Sequence, residues 1–331
     1  MSDIARVAPF PYFGGKRRAA ATVWSRLGDV GGYVEPFAGS AAVLLARPPA
    51  SGRRVETIND ADGWLVNTWR AIRHAPDDVA THSSGPVTEI DYHARLAWLQ
   101  ERRTPDLVSW LEGDPEAFDA KAAGWWLYVA ACGIGDPWGP GPWCVIDGHL
   151  RNVNRELPHL GNAGQGVNRE LPHLGNAGQE ARLGAYMRAL ASRLAAVRIT
   201  CGDWRRVLKP SVTRATAGPG VTGIFLDPPY ATSGDLYAVT NTVDGHESIS
   251  AEVRRWCIDK APSDLRIILC GFGEEHDELL EHGWTVEGGK AGRGAGYSTD
   301  GAAGRRERLW VSPGCLRDGL LDWDAAGETA S

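Results

Sequence analysis

Short apolar runs alternate along this chain with longer stretches in which apolar residues recur at helical spacing. Residues 221–226 are too few for a helix and have the apolar, β-branched character of a central parallel strand. Residues 32–46 read as a strand, a tight turn and a helix over 41–46, and 55–60 as a second strand. Further strands are predicted at 197–201, 265–270, 284–287 and 308–311. Helices are predicted over 17–27, 91–102, 118–131 and 250–261, with another near 274–282. Trp64, Leu65, Trp69 and Ile72 mark a helix by their spacing, and Leu183, Met187, Leu190, Leu194 and Val197 mark an amphipathic one. Strands alternating with helices predict an α/β fold with a mostly parallel sheet.

Between about 75 and 180 that alternation breaks. Residues 74–88 form a polar stretch containing His and Pro, and 132–143 are too rich in Gly and Pro for a regular element. A direct repeat follows: 153–166 and 167–180 are the same fourteen residues, differing only at Gly166 and Glu180. Two copies do not make a solenoid, and their near-identity suggests a recent duplication in a loop that tolerates added length. The expected organisation is a domain in two segments, 1–75 and 183–316, interrupted by a mainly helical insertion, 76–182. An acidic tail, 317–331, follows.

The length of 331 residues and a 43% hydrophobic content suffice for a substantial core. No apolar stretch reaches membrane-spanning length and residues 1–10 lack a signal-peptide core, so the expectation is a soluble, cytoplasmic protein with no membrane partner. Six scattered cysteines with no Cys-x-x-Cys pair argue against zinc and against a disulfide framework, so no metal is expected. A net charge of −6 and a pI near 5.9 count against a nucleic-acid binder without excluding one. Basic residues do cluster, at Lys16 to Arg18, Arg102-Arg103, Arg205-Arg206 and Arg305-Arg306.

Candidate chemistry gathers where the apolar runs end. The strand at 221–226 stops at Asp227-Pro228-Pro229-Tyr230. Prolines fix φ and cannot donate to a ladder, so the chain after Asp227 is stiff, and ligands of open α/β sheets bind just past such strand ends. A carboxylate, the Pro228 carbonyl and the Tyr230 ring suit a flat heterocycle with an exocyclic amine. Upstream, Tyr12-Phe13-Gly14-Gly15-Lys16 sets two aromatics, two glycines and a lysine ahead of a helix. Glu35-Pro36-Phe37-Ala38-Gly39-Ser40 forms a turn expected to leave free N–H groups at a helix N-terminus beside an acid. Asp60 ends the second strand, where a nucleoside ribose needs an acid for its hydroxyls.

Taken in this order, the motifs resemble the Dam-like, alpha-ordered DNA adenine methyltransferases that use S-adenosyl-L-methionine. The resemblance covers residues 10–73 and about 183–315. It implies a Rossmann-like methyltransferase domain with an inserted, mainly helical target-recognition domain. It implies that Tyr12, Phe13, Gly14, Lys16, Glu35, Pro36, Phe37, Gly39 and Asp60 surround S-adenosyl-L-methionine, and that Asp227, Pro228, Pro229 and Tyr230 hold the target adenine. Asp203 and Trp204, after the strand at 197–201, match the turn that flanks the cofactor adenine; Asp203 also reads as a plain helix cap. Trp138 and Trp143 read either as wedges on bases or as buried loop anchors, and the repeat either as a DNA contact or as a surface loop. Where many members carry glycine two residues past the position of Gly39, this chain has Ala41. The implied partner is double-stranded DNA, with a cognate restriction enzyme in a restriction–modification setting, and the implied state a monomer or weak dimer. The same chemistry on cytosine 4-amino groups or on RNA, and a non-catalytic DNA-binding module, are the alternatives.

Overall fold

The computed structural model describes residues 8–10, 16–49, 54–85, 88–102, 106–114, 116–133, 143–146, 149–152, 180–217, 220–229, 248–260, 264–288 and 307–316. Seven strands form one sheet: β1 (Gly32–Glu35), β2 (Val55–Asp60), β5 (Val197–Cys201), β6 (Thr222–Leu226), β7 (Arg266–Phe272), β8 (Thr285–Gly288) and β9 (Glu307–Val311). Their order is β5-β2-β1-β6-β7-β9-β8. All run parallel except β9, which lies antiparallel between β7 and β8. Strand order reverses beside β1, with β2 on one flank and β6 on the other, which makes a crevice at the carboxyl ends of β1 and β6.

Burial on both faces explains why the central strands β6 and β7 read as largely apolar runs. Successive residues point to opposite faces, and the two faces feed two cores. Tyr33, Ile58, Phe225, Ile268, Cys270, Leu309 and Val311 join the larger one, with α1 (Ala20–Leu27), α2 (Ala42–Leu45) and α3 (Gly63–His74). Val34, Ile224, Leu226, Ile267, Leu269 and Trp310 join the smaller one, with Trp204 to Leu208 and the helix Ile249–Lys260.

The segment between β2 and β5 contains α4 (Pro76–Ser83), α5 (Glu89–Glu101), α6 (Asp106–Gly113), α7 (Ala120–Cys132), the hairpin β3 (Trp143–Ile146) and β4 (His149–Asn152), and α8 (Glu180–Leu194). Its helices share the larger core: Leu99, Ala122, Trp126, Met187 and Leu190 pack in one cluster with Trp69 and Tyr33. A buried charge network anchors its return to the sheet. Arg193 of α8 grips both oxygens of Glu56 on β2, at 2.6 and 2.9 Å, and Arg47 reaches the same carboxylate at 3.0 Å.

Several elements differ from expectation. The polar stretch 74–88 contains α4, which begins with Pro76 in its first turn followed by Asp77 and Asp78, a favourable start beside a helix dipole. α6 and the β3–β4 hairpin were not expected at all. The helix near 274–282 is a 3₁₀ turn, Asp277–His282, closed by Gly283 at φ 78°. The first helix starts at Ala20, leaving Lys16 in the turn before it. Among the described residues no helix is long and apolar enough to cross a membrane, and Cys132, Cys201, Cys257, Cys270 and Cys315 are free and buried. The repeat up to residue 179, Trp138, the loop 290–306 and the tail lie outside the described residues.

Candidate functional site

Residues two apart on a strand share a face, so side-chain parity places the acids. Glu35 shares its face with Tyr33, Asp60 with Ile58, and Asp227, one step past β6, continues the register of Phe225. Cys270 on β7 lies on that face as well. Because β9 runs the opposite way, its first residue, Glu307, sits opposite Phe272 at the carboxyl end of β7 and on the face of Leu309 and Val311. Adjacent strands β2, β1, β6, β7 and β9 thus each deliver one such side chain to the same edge of the same face.

Lys16 enters this row from the turn before α1. Its ammonium lies 2.8 Å from Asp227 Oδ2 and 2.8 Å from Glu307 Oε1. The Lys16 side chain is only 4% exposed, whereas those of Asp227 and Glu307 are 19% and 29% exposed. Burial works against the ammonium, but the two carboxylates outweigh it and hold the Lys16 pKa above its ordinary value. Lysine therefore stays charged, and two negative groups share one positive group. The nearby Cys270 thiol is pushed well up by burial and by Asp227, which favours its neutral form.

Glu35 is 2% exposed. Its Oε2 accepts from the Tyr33 hydroxyl at 3.0 Å and the Leu44 N–H at 3.2 Å. Burial pushes its pKa up to about 8, and Asp227 and Asp60 add to the rise. Asp60 is oriented by two backbone donors, Gly39 N–H to Oδ2 and Asp62 N–H to Oδ1, both at 3.0 Å. Burial raises its pKa to about 6. Of the N–H groups at the turn after β1 and the start of α2, these carboxylates take those of Gly39 and Leu44.

That turn is held from three sides. Trp69 Nε1 donates to the Gly39 carbonyl at 3.0 Å, and Trp69 packs against Phe10, which also meets Trp126 edge-on. Asn59 donates to the carbonyls of Pro36 at 3.0 Å and Gly202 at 2.9 Å, tying the β1 turn to the β5 turn. Ala41 adopts φ 49° and ψ 30° with its methyl fully buried. This left-handed conformation is the one glycine adopts without cost.

On the opposite face, Phe37 lies 6.0 Å from Trp204, ring centroid to centroid. Trp204 is buried, and its indole N–H has no hydrogen-bond partner among the described residues. Asp203 caps the turn by accepting from the Arg205 N–H at 2.8 Å, as the plain-cap reading had it, and also pairs with the Arg205 guanidinium. Pro228 is buried and Pro229 half-buried. Lys16, Glu35, Asp60 and Asp227 are thus brought together, with Pro36, Phe37 and Gly39 in the connecting turn. Tyr12, Phe13, Gly14 and Tyr230 lie outside the described residues. Sequence reasoning missed Glu307 and Asn59; the return of a strand after the glycine-rich loop was the one signal for Glu307. No protein-family model matches this chain, and none of the curated proteins searched matches it.

Proposed function

We propose that this protein transfers a methyl group from S-adenosyl-L-methionine to the 6-amino group of adenine in DNA, on a Rossmann-like methyltransferase domain. The observation that carries the reading is the convergence of Lys16, Glu35, Asp60 and Asp227 on one face at the carboxyl ends of β2, β1 and β6. The strand order, with a single antiparallel strand inserted next to the last, supports the same reading.

The donor set fits the cofactor. Glu35 is a buried carboxyl group that accepts from a hydroxyl and an N–H, and a positively charged ligand group beside it would stabilise its ionised form. Asp60 is fixed by two backbone N–H groups and suits a vicinal pair of ribose hydroxyls. Phe37 and Trp204 offer ring faces and an unpaired indole N–H for a purine. When bound, S-adenosyl-L-methionine supplies a methyl group activated by a positively charged sulfur.

The protein's own residues do the rest by positioning. Asp227, held by Lys16, accepts a hydrogen bond from the target amine, and that bond strengthens as positive charge grows on the nitrogen. The adenine must leave the duplex first, at a cost of a few kcal/mol, and stacking on an aromatic such as Tyr230 returns about 1–3 kcal/mol. Asp227→Ala is expected to abolish transfer while cofactor affinity stays within a few-fold. Loss of both together would contradict the role given to Asp227.

A further inference from the structure

Glu307 has no part in the reaction as described, yet it is built into the site. It comes from the antiparallel strand, and only the first residue of β9 reaches the carboxyl end of β7. Its Oε1 lies as close to the Lys16 ammonium as Asp227 does, 2.8 Å in each case. An ammonium is a point charge on a flexible four-carbon stem that one partner leaves free to swing. Two carboxylates on neighbouring strands fix where it sits.

The charge count matters as much as the position. Lys16 with Asp227 alone would be a neutral pair, and the ammonium would draw charge from the carboxylate that must accept the target amine's hydrogen bond. With Glu307 included, one ammonium is shared between two carboxylates, and these three groups together carry one negative charge. Cys270 and Glu35, which also face the cluster, bring no positive charge to it: burial and the neighbouring carboxylates push both towards their neutral forms. The cluster therefore offers negative potential where positive charge develops on the substrate amine.

We propose that Glu307 is a positioning residue that acts through Lys16, fixing the ammonium and preserving Asp227 as a strong hydrogen-bond acceptor. The inference rests on the methyltransfer reading above. The test compares the parent with Glu307→Gln and Glu307→Ala in single-turnover methyl transfer to DNA, alongside cofactor affinity by calorimetry and the urea unfolding midpoint. Glu307→Gln keeps the shape and an acceptor oxygen but removes the charge. Its turnover is expected to fall about tenfold, less than for loss of a group touching the reacting atoms, with cofactor affinity and unfolding midpoint near the parental values. Because Glu307 is partly exposed, formate is expected to restore much of the lost rate to Glu307→Ala, and chloride at equal ionic strength is not. Parental turnover in Glu307→Gln, a loss matched by weaker cofactor binding or a lower midpoint, or no recovery with formate would each overturn the positioning role alone. A parent that transfers no methyl group would overturn the methyltransfer reading, and this role with it.

Discussion

Glu35→Gln should make the protein more stable and worse at binding its cofactor, and the gain in stability should depend on pH. Glutamine keeps the acceptor oxygen that meets the Tyr33 hydroxyl and the Leu44 N–H, so the variant removes only the ionisable proton. Burial holds the folded-state pKa of Glu35 at about 8, well above the ordinary value of 4.5. Below 4.5 the carboxyl is protonated in both folded and unfolded chains and costs nothing. As pH rises from there towards 8, the unfolded chain gives up its proton and the folded chain does not, so stability is lost through that window. Each pH unit over which the two states differ by one proton is worth about 1.4 kcal/mol. Between about pH 5.5 and pH 8 the parent should therefore lose about 3 kcal/mol relative to Glu35→Gln. Asp60 titrates in both proteins and cancels in the comparison. Urea unfolding of parent and variant at the two pH values measures the difference directly. Parallel losses in the two proteins would refute the claim that Glu35 is buried without charge compensation. The same substitution removes the charge proposed to meet a positive ligand, so affinity for S-adenosyl-L-methionine should fall at least about tenfold, worth about 1.4 kcal/mol.

Other substitutions test how the site is held. Glu56→Ala leaves the Arg47 and Arg193 guanidiniums without their shared anion and should cost about 3–5 kcal/mol in urea unfolding, since it strands buried charge. Ala41→Gly relieves a left-handed backbone worth about 1–2 kcal/mol but gives up a buried methyl and some chain entropy, so it should lie within about 0.5 kcal/mol of the parent. The neighbouring Ala42→Gly, in ordinary helical backbone, has no such relief and should cost about 1–2 kcal/mol; equal losses at 41 and 42 would contradict the strain argument.

The sheet was legible because both its faces are covered. Residues 221–226 appear as an apolar run ending at an acid and 55–60 as a stretch rich in β-branched residues ending at one, and the structure has strands there, the first beginning one residue late. Elements whose stability comes from packing rather than pattern were not legible. α4 is mostly polar yet is held between α7 and α8, with Val79 and Ala80 inward. The 3₁₀ turn at Asp277–His282 is tethered by Trp310 Nε1 to Asp277 at 3.1 Å, a tertiary contact that no local spacing encodes. The acids of the site were legible because each stands where a strand ends: Glu35 and Asp60 close β1 and β2, and Asp227 follows β6. Glu307 begins its strand rather than ending it, so its place depends on the antiparallel pairing with β7. Lys16 was legible as a site residue from its motif, but not its bridging of Asp227 and Glu307, which depends on where β9 returns.

The most direct test of the central claim is transfer of labelled methyl from S-adenosyl-L-methionine to unmethylated genomic DNA, followed by mass spectrometry of the released nucleosides. The account predicts label in N6-methyladenine, and none when the parent is replaced by Asp227→Ala. Label in N4-methylcytosine would keep the chemistry and change the acceptor; no label in DNA from a protein that binds the cofactor would contradict the account.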